Sequence, residues 1–504
     1  MPSDTLATRR SVQLFDRRVW MLVGLVCLFA VLIMKEVSLP RPVVLSIGVV
    51  GLFALLVVGL QSPEVPLYIL VAYLPFSRML VGDFGTGAVA LNLTNILTLW
   101  VFAAYAMRQA GQGKPLFQGT PLNRAIMFFG FLGAVALVRT SWDYGAWYFW
   151  EFLIPLKRWL TPILFYFLAF WVARDRRTLR TITIIIMVAT AIVAVMAIRD
   201  YSYSSGGRFE TARVGGVMEQ SNTLAAFFVY YMYLFLGFFL TYTRKPRTWW
   251  LLIPFLLCFR GIMVTFSRGG YLAFAAGGLG ACWFRHKLLF AAAVAFLAFA
   301  VVNPVLLPAG IRYRLGHTVA GHVTATELYE EDLVDVLDRS AATRVEIWRG
   351  ALQMIREHPW TGVGYGAFPA FITRYTAGTV GSMDAHNSYL LVAAEMGIPT
   401  LVVFLVVLLM VCYYTRWLYW HTEDRTIKAI ALGFLGGLSG LWVANMFGSR
   451  MDAQEAAGYF WILAGLIMRG VMIEREELRI RGTGNGERGT KTGNGARGKR
   501  EARS

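Results

Sequence analysis

The chain has 504 residues, of which 57% are hydrophobic, 14% aromatic and only 15% charged, with a mean hydropathy of +0.54 and a net charge of +18. This is far too apolar for a soluble domain and predicts an all-α polytopic integral membrane protein. The positive charge reads as membrane topology and attraction to anionic lipid, and nucleic acid is excluded as a partner because no basic soluble domain exists to bind it.

Residues 1–18 read as a cytoplasmic tail, because Arg9, Arg10, Arg17 and Arg18 precede the first apolar run and basic residues collect on the cytoplasmic side. Residues 19–307 form a transmembrane bundle. A spanning helix needs about 20 mainly apolar residues, and such runs cover 19–38, 42–61, 66–81, 89–107, 123–140, 158–174, 180–198, 221–242, 248–266, 270–285 and 287–307. Three more lie at 387–413, 428–447 and 456–473, within a second transmembrane region spanning 388–473. The runs at 66–81, 158–174 and 270–285 are the weakest, giving about 12–14 spans. With 14, the clusters Arg174/Arg176/Arg177/Arg180, Arg244/Lys245/Arg247, Arg285/Lys287 and Arg425/Lys428 all fall inside. The loops at 199–220, 266–270, 308–387 and 448–455 then fall outside, with 308–387 the single large one. The first apolar run is long and lacks a clean small-residue cleavage site, so it is expected to stay as an anchor. Cys27, Cys258, Cys282 and Cys412 sit in or beside apolar runs without ligand spacing, which points to neither disulfides nor zinc.

Three outer segments carry ionisable residues beside the membrane, where such groups are costly and usually functional. The first is GGRFETARVGGVMEQSN, with Arg208, Arg213 and Asn222; the second is TFSRGGYL, with Arg268. In the large loop, Thr343 and Glu346 match a capping box and Pro359 ends the helix that follows. Val345, Trp348, Leu352 and Ile355 predict its apolar stripe, and Arg344, Arg349 and Arg356 its polar face, so it is suited to roof a cavity. GVGYGAF then predicts a tight turn that passes close to other backbone; it lacks the lysine of a nucleotide-binding loop. The third segment, DAHNSYLLVAAEMGIP, holds His386, Asn387, Tyr389 and Glu395. Residues 474–504 read first as a charged helix extension and then, through TGNGERGTK and TGNGARGKR, as a disordered basic cytoplasmic tail.

Guanidinium groups donate paired hydrogen bonds to diphosphate and keep their charge, and histidine accepts a proton near neutral pH. Together they make a site for breaking a sugar–diphosphate bond without metal or other cofactor. Each element also has a plain structural reading: Arg268 as a headgroup anchor, Arg208 and Arg213 as ordinary loop residues, and His386 as a helix-cap residue satisfied by backbone. Glu395 reads as the partner of a backbone irregularity before Gly397 and Pro399.

The order of spans, the SRGG turn, TRVEIWRGALQMIREHPWTGVGYGAF and AHNSYLLVAAEMGIP resembles the O-antigen ligase and O-antigen polymerase superfamily of bacterial envelope glycan assembly, over about Arg208 to Thr400. The resemblance implies a glycosyltransferase in the bacterial inner membrane with its site facing the periplasm. Its donor would be an undecaprenyl-diphosphate-linked glycan and its acceptor lipid A-core or another glycan. By the same resemblance His386 would be the general base, with Arg213 and Arg268, and less firmly Arg208 and Arg344, on the diphosphate. The leading expectation is a ligase joining O-antigen to lipid A-core, with a polymerase of lipid-linked repeat units as the alternative. A transporter of lipid-linked sugars would require paired repeats, and none is evident in the sequence.

Overall fold

The computed structural model describes residues 59, 62–80, 92–205, 213–316 and 339–497. The N-terminal tail, the expected span at 19–38, all of the expected span at 42–61 except residue 59, and Arg208 lie outside the described residues. The described chain is helical, with no strand, and is a multi-pass membrane protein: eight helices are long and apolar enough to cross a bilayer. They are Pro121–Tyr144, Ala146–Val172, Arg176–Ser204, Ser221–Thr241, Pro246–Val264, Ser388–His421, Arg425–Ala444 and Gln454–Arg481.

In chain order the elements begin with α1 (Glu64–Tyr73) and α2 (Ser77–Leu80), separated by a 3-10 turn over Leu74–Phe76. The run expected as one span at 66–81 is thus divided, since Pro75 lacks the N–H that a continuing helix would use. Next come α3 (Leu93–Gly111), α4 (Pro121–Tyr144), α5 (Ala146–Val172) and α6 (Arg176–Ser204). Helix α5 starts well before the predicted 158, because the aromatic segment AWYFWEF joins it. The run at 221–242 divides into α7 (Ser221–Tyr231) and α8 (Tyr233–Thr241), followed by α9 (Leu252–Val264), α10 (Arg268–Arg285), α11 (Lys287–Val302) and α12 (Ala309–Gly316). The large loop supplies α13 (Arg339–Glu357) and α14 (Phe368–Tyr375), and α15 (Ser388–His421), α16 (Arg425–Ala444) and α17 (Gln454–Arg497) complete the chain.

Helix α16 is the central post. Its Gly433 and Gly437 lie one turn apart, and a methyl group on Gly437 would come within 2.1 Å of the Tyr230 carbonyl oxygen. Only small residues permit this approach, and in a bilayer close packing replaces the hydrophobic drive between helices. Helices α8 and α10 pack along α16, and α17 packs along α5.

The helix ends sort into two layers. One holds the basic clusters, where Arg176 pairs with Glu474 at 2.6 Å and Glu477 at 2.9 Å, Arg108 with Glu64 at 2.5 Å, and Arg180 with Asp424. Glu474, expected to open the tail, is instead buried, and accepts a hydrogen bond from Thr422 Oγ1 at 2.6 Å. The opposite layer carries α13, α14 and the turns around Arg213, Arg268 and His386.

Two details of the large loop differ from expectation. Helix α13 is already formed at Arg339, so Thr343 and Glu346 lie inside it and do not cap it. Its buried stripe is Ile347, Ala351 and Met354, whereas Leu352 is 46% exposed. The small residues decide this rotation: Gly350 faces α14, where an added methyl group would lie 2.9 Å from Ile372 Cδ1.

Candidate functional site

The segment before α15 is held by an unusual amount of side-chain chemistry. Asn387 caps the helix, its Oδ1 accepting from the N–H groups of Tyr389 (2.9 Å) and Leu390 (3.1 Å). Ser388 Oγ lies 2.7 Å from Asn445 Oδ1 and 3.0 Å from the Gly448 carbonyl oxygen, and Arg450 N–H donates to it at 3.3 Å. The start of α15 is thereby fastened to the segment that follows α16.

Because Asn387 does the capping, the His386 ring is available for another purpose. The backbone at His386 is left-handed, φ 49°, a conformation costly for most side chains and found more often at functional sites. Its N–H donates to Asp384 Oδ2 at 3.1 Å, and its Nδ1 lies 3.7 Å from the same oxygen. Asp384 is oriented from its other side by Ser449 Oγ, which donates to Oδ1 at 3.1 Å. Burial lowers the His386 pKa below its ordinary 6.5; Arg344 and Arg450 push the same way and Asp384 opposes them. The surroundings thus favour the neutral imidazole, the state a proton acceptor needs.

Arg344 reaches this neighbourhood from α13. Trp348, one turn further along that helix, donates from Nε1 to the Ala385 carbonyl at 3.1 Å, and its ring lies 6.2 Å from Phe447. On the other side of Phe447 stands the SRGG turn. Ser267 caps α10, accepting from Gly270 N–H at 3.2 Å, and a methyl group on Gly269 would meet Phe447 Cβ at 2.6 Å. A short run of contacts through Gly269, Phe447, Trp348 and Ala385 therefore joins the neighbour of Arg268 to the neighbour of His386.

Arg213 is tied to the same turn. Its Nε donates to the Thr265 carbonyl at 3.1 Å and its Nη2 to Asn222 Oδ1 at 2.5 Å, while Val214 N–H donates to the Val264 carbonyl at 3.3 Å. Arg213, Arg268, Arg344 and His386 thus occupy one layer of the bundle, brought there by four separate stretches of sequence. Histidines 286 and 421 lie at the other end, His421 closing the 34-residue helix that Ser388 opens.

Sequence reasoning missed Arg450, Asp384 and Asp452. Arg450 is only 6% exposed, and its Nη1 lies 3.4 Å from Thr223 Oγ1. Burial, with the negative charge of Asp384 next in weight, pushes the Asp452 pKa up to about 6. For Arg450 and Asp452 the available signal was the three charges of the short GSRMDAQE segment directly after an apolar run.

The glycine-rich turn supports the site from the side. A methyl group on Gly397, φ 84°, would meet the Trp360 carbonyl oxygen at 2.3 Å, and one on Gly362 would meet the Glu395 carbonyl carbon at 2.3 Å. The two backbones interlock: Val363 N–H donates to the Ala394 carbonyl (2.8 Å), Gly364 N–H to the Glu395 carbonyl (3.1 Å) and Ile398 N–H to the Pro359 carbonyl (2.8 Å). The Glu395 side chain accepts from Phe368 N–H at 3.2 Å, so it caps the start of α14 and ties it to α15.

Residues 253–405 match the family model described as O-antigen ligase. This stretch includes Arg268, Arg344 and His386, while Arg213, Arg450 and Asp452 lie outside it. No curated protein matches the chain. The match supports the O-antigen ligase and polymerase superfamily, whose members are glycosyltransferase-type enzymes acting on glycan and lipid substrates.

Proposed function

We propose that the chain is a metal-independent glycosyltransferase of the bacterial inner membrane. It moves a glycan from undecaprenyl diphosphate to an acceptor sugar at the periplasmic face, most concretely O-antigen to lipid A-core. The observation that carries this reading is the His386 turn, with Asp384 and Arg344 beside it and the Arg213 and Arg268 turns in the same layer. The family match over residues 253–405 supports the same chemistry.

In this reading Arg213 and Arg268 hold the donor diphosphate, and Arg344 closes on it from α13. Arg208, earlier in the Arg213 segment, is a further candidate for the same anion. An acceptor hydroxyl attacks the anomeric carbon from the face opposite the diphosphate. The new C–O bond forms as the bond to phosphate breaks, and its electron pair leaves with undecaprenyl diphosphate. His386 takes the hydroxyl proton on Nε2, since Nδ1 faces Asp384, whose carboxylate steadies the imidazolium. Fixed guanidinium groups aimed at charge that grows in the transition state accelerate such a step, because they need no reorganisation. The positive charge at the other end of the bundle supports an orientation with this site outside.

The test is complementation of a deletion strain with wild type, His386→Ala and Arg268→Ala at equal membrane expression, followed by analysis of lipopolysaccharide and lipid-linked glycan. A ligase predicts capped lipopolysaccharide with wild type and accumulated long lipid-linked chains with both variants. Accumulated single repeat units identify a polymerase instead, and full activity of both variants removes the site.

A further inference from the structure

Beside the His386 layer is a polar cleft of about 400 Å³ that the mechanism above leaves unused. Its lining comes from α1 and α2, the start of α3, the middle of α5, Glu219 in the turn before α7, and the segment that enters α17. None of it comes from the Arg268 turn. Lys157 and Arg158 face it from within a helix apolar enough to span the membrane, an expensive placement for two adjacent cations. Asn92, Asn95, Gln454 and Asp452 line the same cleft.

The cleft is built and braced. Arg78 crosses its rim to bond Glu219 at 2.7 Å and also Glu455, joining three separate parts of the chain. Asn92 caps α3 by accepting from Asn95 N–H at 2.9 Å, and Gln454 Nε2 donates to Thr94 Oγ1 at 3.0 Å. Its volume falls within the roughly 300–1,000 Å³ of ordinary ligand sites.

We infer that this cleft is the acceptor-sugar subsite of the transferase. The inference rests on the proposed function and assigns it a second ligand site. Three observations carry it. First, the lining mixes donors, Lys157 and Arg158, with amides that both donate and accept and with the carboxylate of Asp452. A bare anion calls only for donors, whereas each sugar hydroxyl both donates and accepts. Second, Asp452 links the cleft to the His386 layer through its own short loop, in which Ser449 Oγ donates to Oδ1 of Asp384, the partner of His386, at 3.1 Å. Third, inversion requires acceptor and leaving group on opposite faces of the anomeric carbon. Arg213 and Arg268 sit on the turns beside α7, α9 and α10, whereas the cleft is walled by α1, α3, α5 and the segment that enters α17, and meets the Arg213 segment only at Glu219. A sugar seated there presents a hydroxyl toward His386, with the diphosphate beyond it.

The experiment uses full-length protein in nanodiscs. The probe is a tagged soluble oligosaccharide released by mild acid from the acceptor glycolipid that accumulates in cells lacking this chain. Binding is measured without donor, and transfer kinetics with lipid-linked donor, for wild type, Asn95→Ala, Arg158→Gln, Arg158→Lys and His386→Ala; gel filtration confirms that each variant is folded. Asn95→Ala and Arg158→Gln are expected to raise the acceptor Kd and KM by about tenfold, the loss of one or two hydrogen bonds, with the donor KM unchanged. Arg158→Lys recovers part of the loss, and His386→Ala binds acceptor normally without turnover. An unchanged acceptor Kd in both cleft variants, a rise confined to the donor KM, or no acceptor binding by wild type overturns the subsite. Wild-type turnover by His386→Ala instead overturns the proposed base, and the binding data still decide the cleft.

Discussion

At the basic end of the bundle, helices open on side-chain caps such as Asp175, which accepts from Thr178 N–H at 2.6 Å, and Asp424, and arginines there meet carboxylates. At the other end the chain turns through Glu219, Phe266, Ala377 and His386, the four non-glycine residues with left-handed backbone among the described residues. Such a conformation costs on the order of 1–3 kcal/mol and persists only where surrounding contacts over-determine it. Concentration of all four at one end indicates a division of labour. The basic end fixes orientation with ordinary, low-energy devices, and the far end spends stability to aim side chains.

The largest effect that tests this contrast is at His386. His386→Ala is expected to lower kcat by about 10²–10⁴-fold, the range for loss of a general base, without lowering folded yield. In vitro transfer and gel filtration measure the two separately, and a proportional fall in both removes the distinction between the ends. Gly397→Ala should act in the opposite sense, on the scaffold. Its methyl group meets the Trp360 carbonyl and its φ of 84° suits only glycine, so it costs on the order of 3 kcal/mol, read as a lower melting temperature in detergent.

Asp424→Ala probes the basic end. Asp424 accepts from the N–H groups of Thr426 (2.8 Å) and Ile427 (3.2 Å), so its removal should cost about 1–2 kcal/mol of stability and leave kcat unchanged. A smaller effect sharpens the electrostatics of the site end. The reaction needs neutral imidazole, and His386 has a pKa below 6.5, so kcat should hold into mild acid and fall as pH drops through the lowered value. Arg344→Gln removes a cation that disfavours imidazolium, raises that pKa and moves the acid limb to higher pH. Asp384→Asn removes the opposing anion and moves it to lower pH; pH–rate profiles distinguish the two directions. Last and smallest, Ala377→Gly relieves an exposed left-handed alanine at φ 48° and should gain up to about 1 kcal/mol with unchanged kinetics, by thermal melting.

Much of the site was legible because each element has a local signature. The SRGG turn interrupts two apolar runs, and His386 stands at the mouth of a third, so both show against a background that the bilayer keeps uniform. The close approach promised by the glycines of GVGYGAF is present, and what approaches is α15 at Glu395–Gly397. The orientation of α13 was not legible, because large apolar side chains outweigh Gly350 and Ala351 in a periodicity reading while the small residues decide how closely helices pack. Arg450, Asp452 and the cleft residues Lys157 and Arg158 escaped notice for a related reason. Lys157 and Arg158 lie within a span and Arg450 and Asp452 beside one, and the meaning of each depends on what another segment brings near it.

By itself, then, the sequence determined the membrane class, the helical content and the sorting of basic clusters to one end. Those properties follow from run length and charge, which lipid reads one segment at a time. Tertiary structure alone decided that Asp384, Arg344 and Arg450 come near one histidine, with Ser449 bonded to Asp384, and that α1, α3, α5 and the segment entering α17 wall one polar cleft. Such juxtapositions join residues tens to hundreds of positions apart, and they arise from which helices pack together, a choice that hydropathy does not encode.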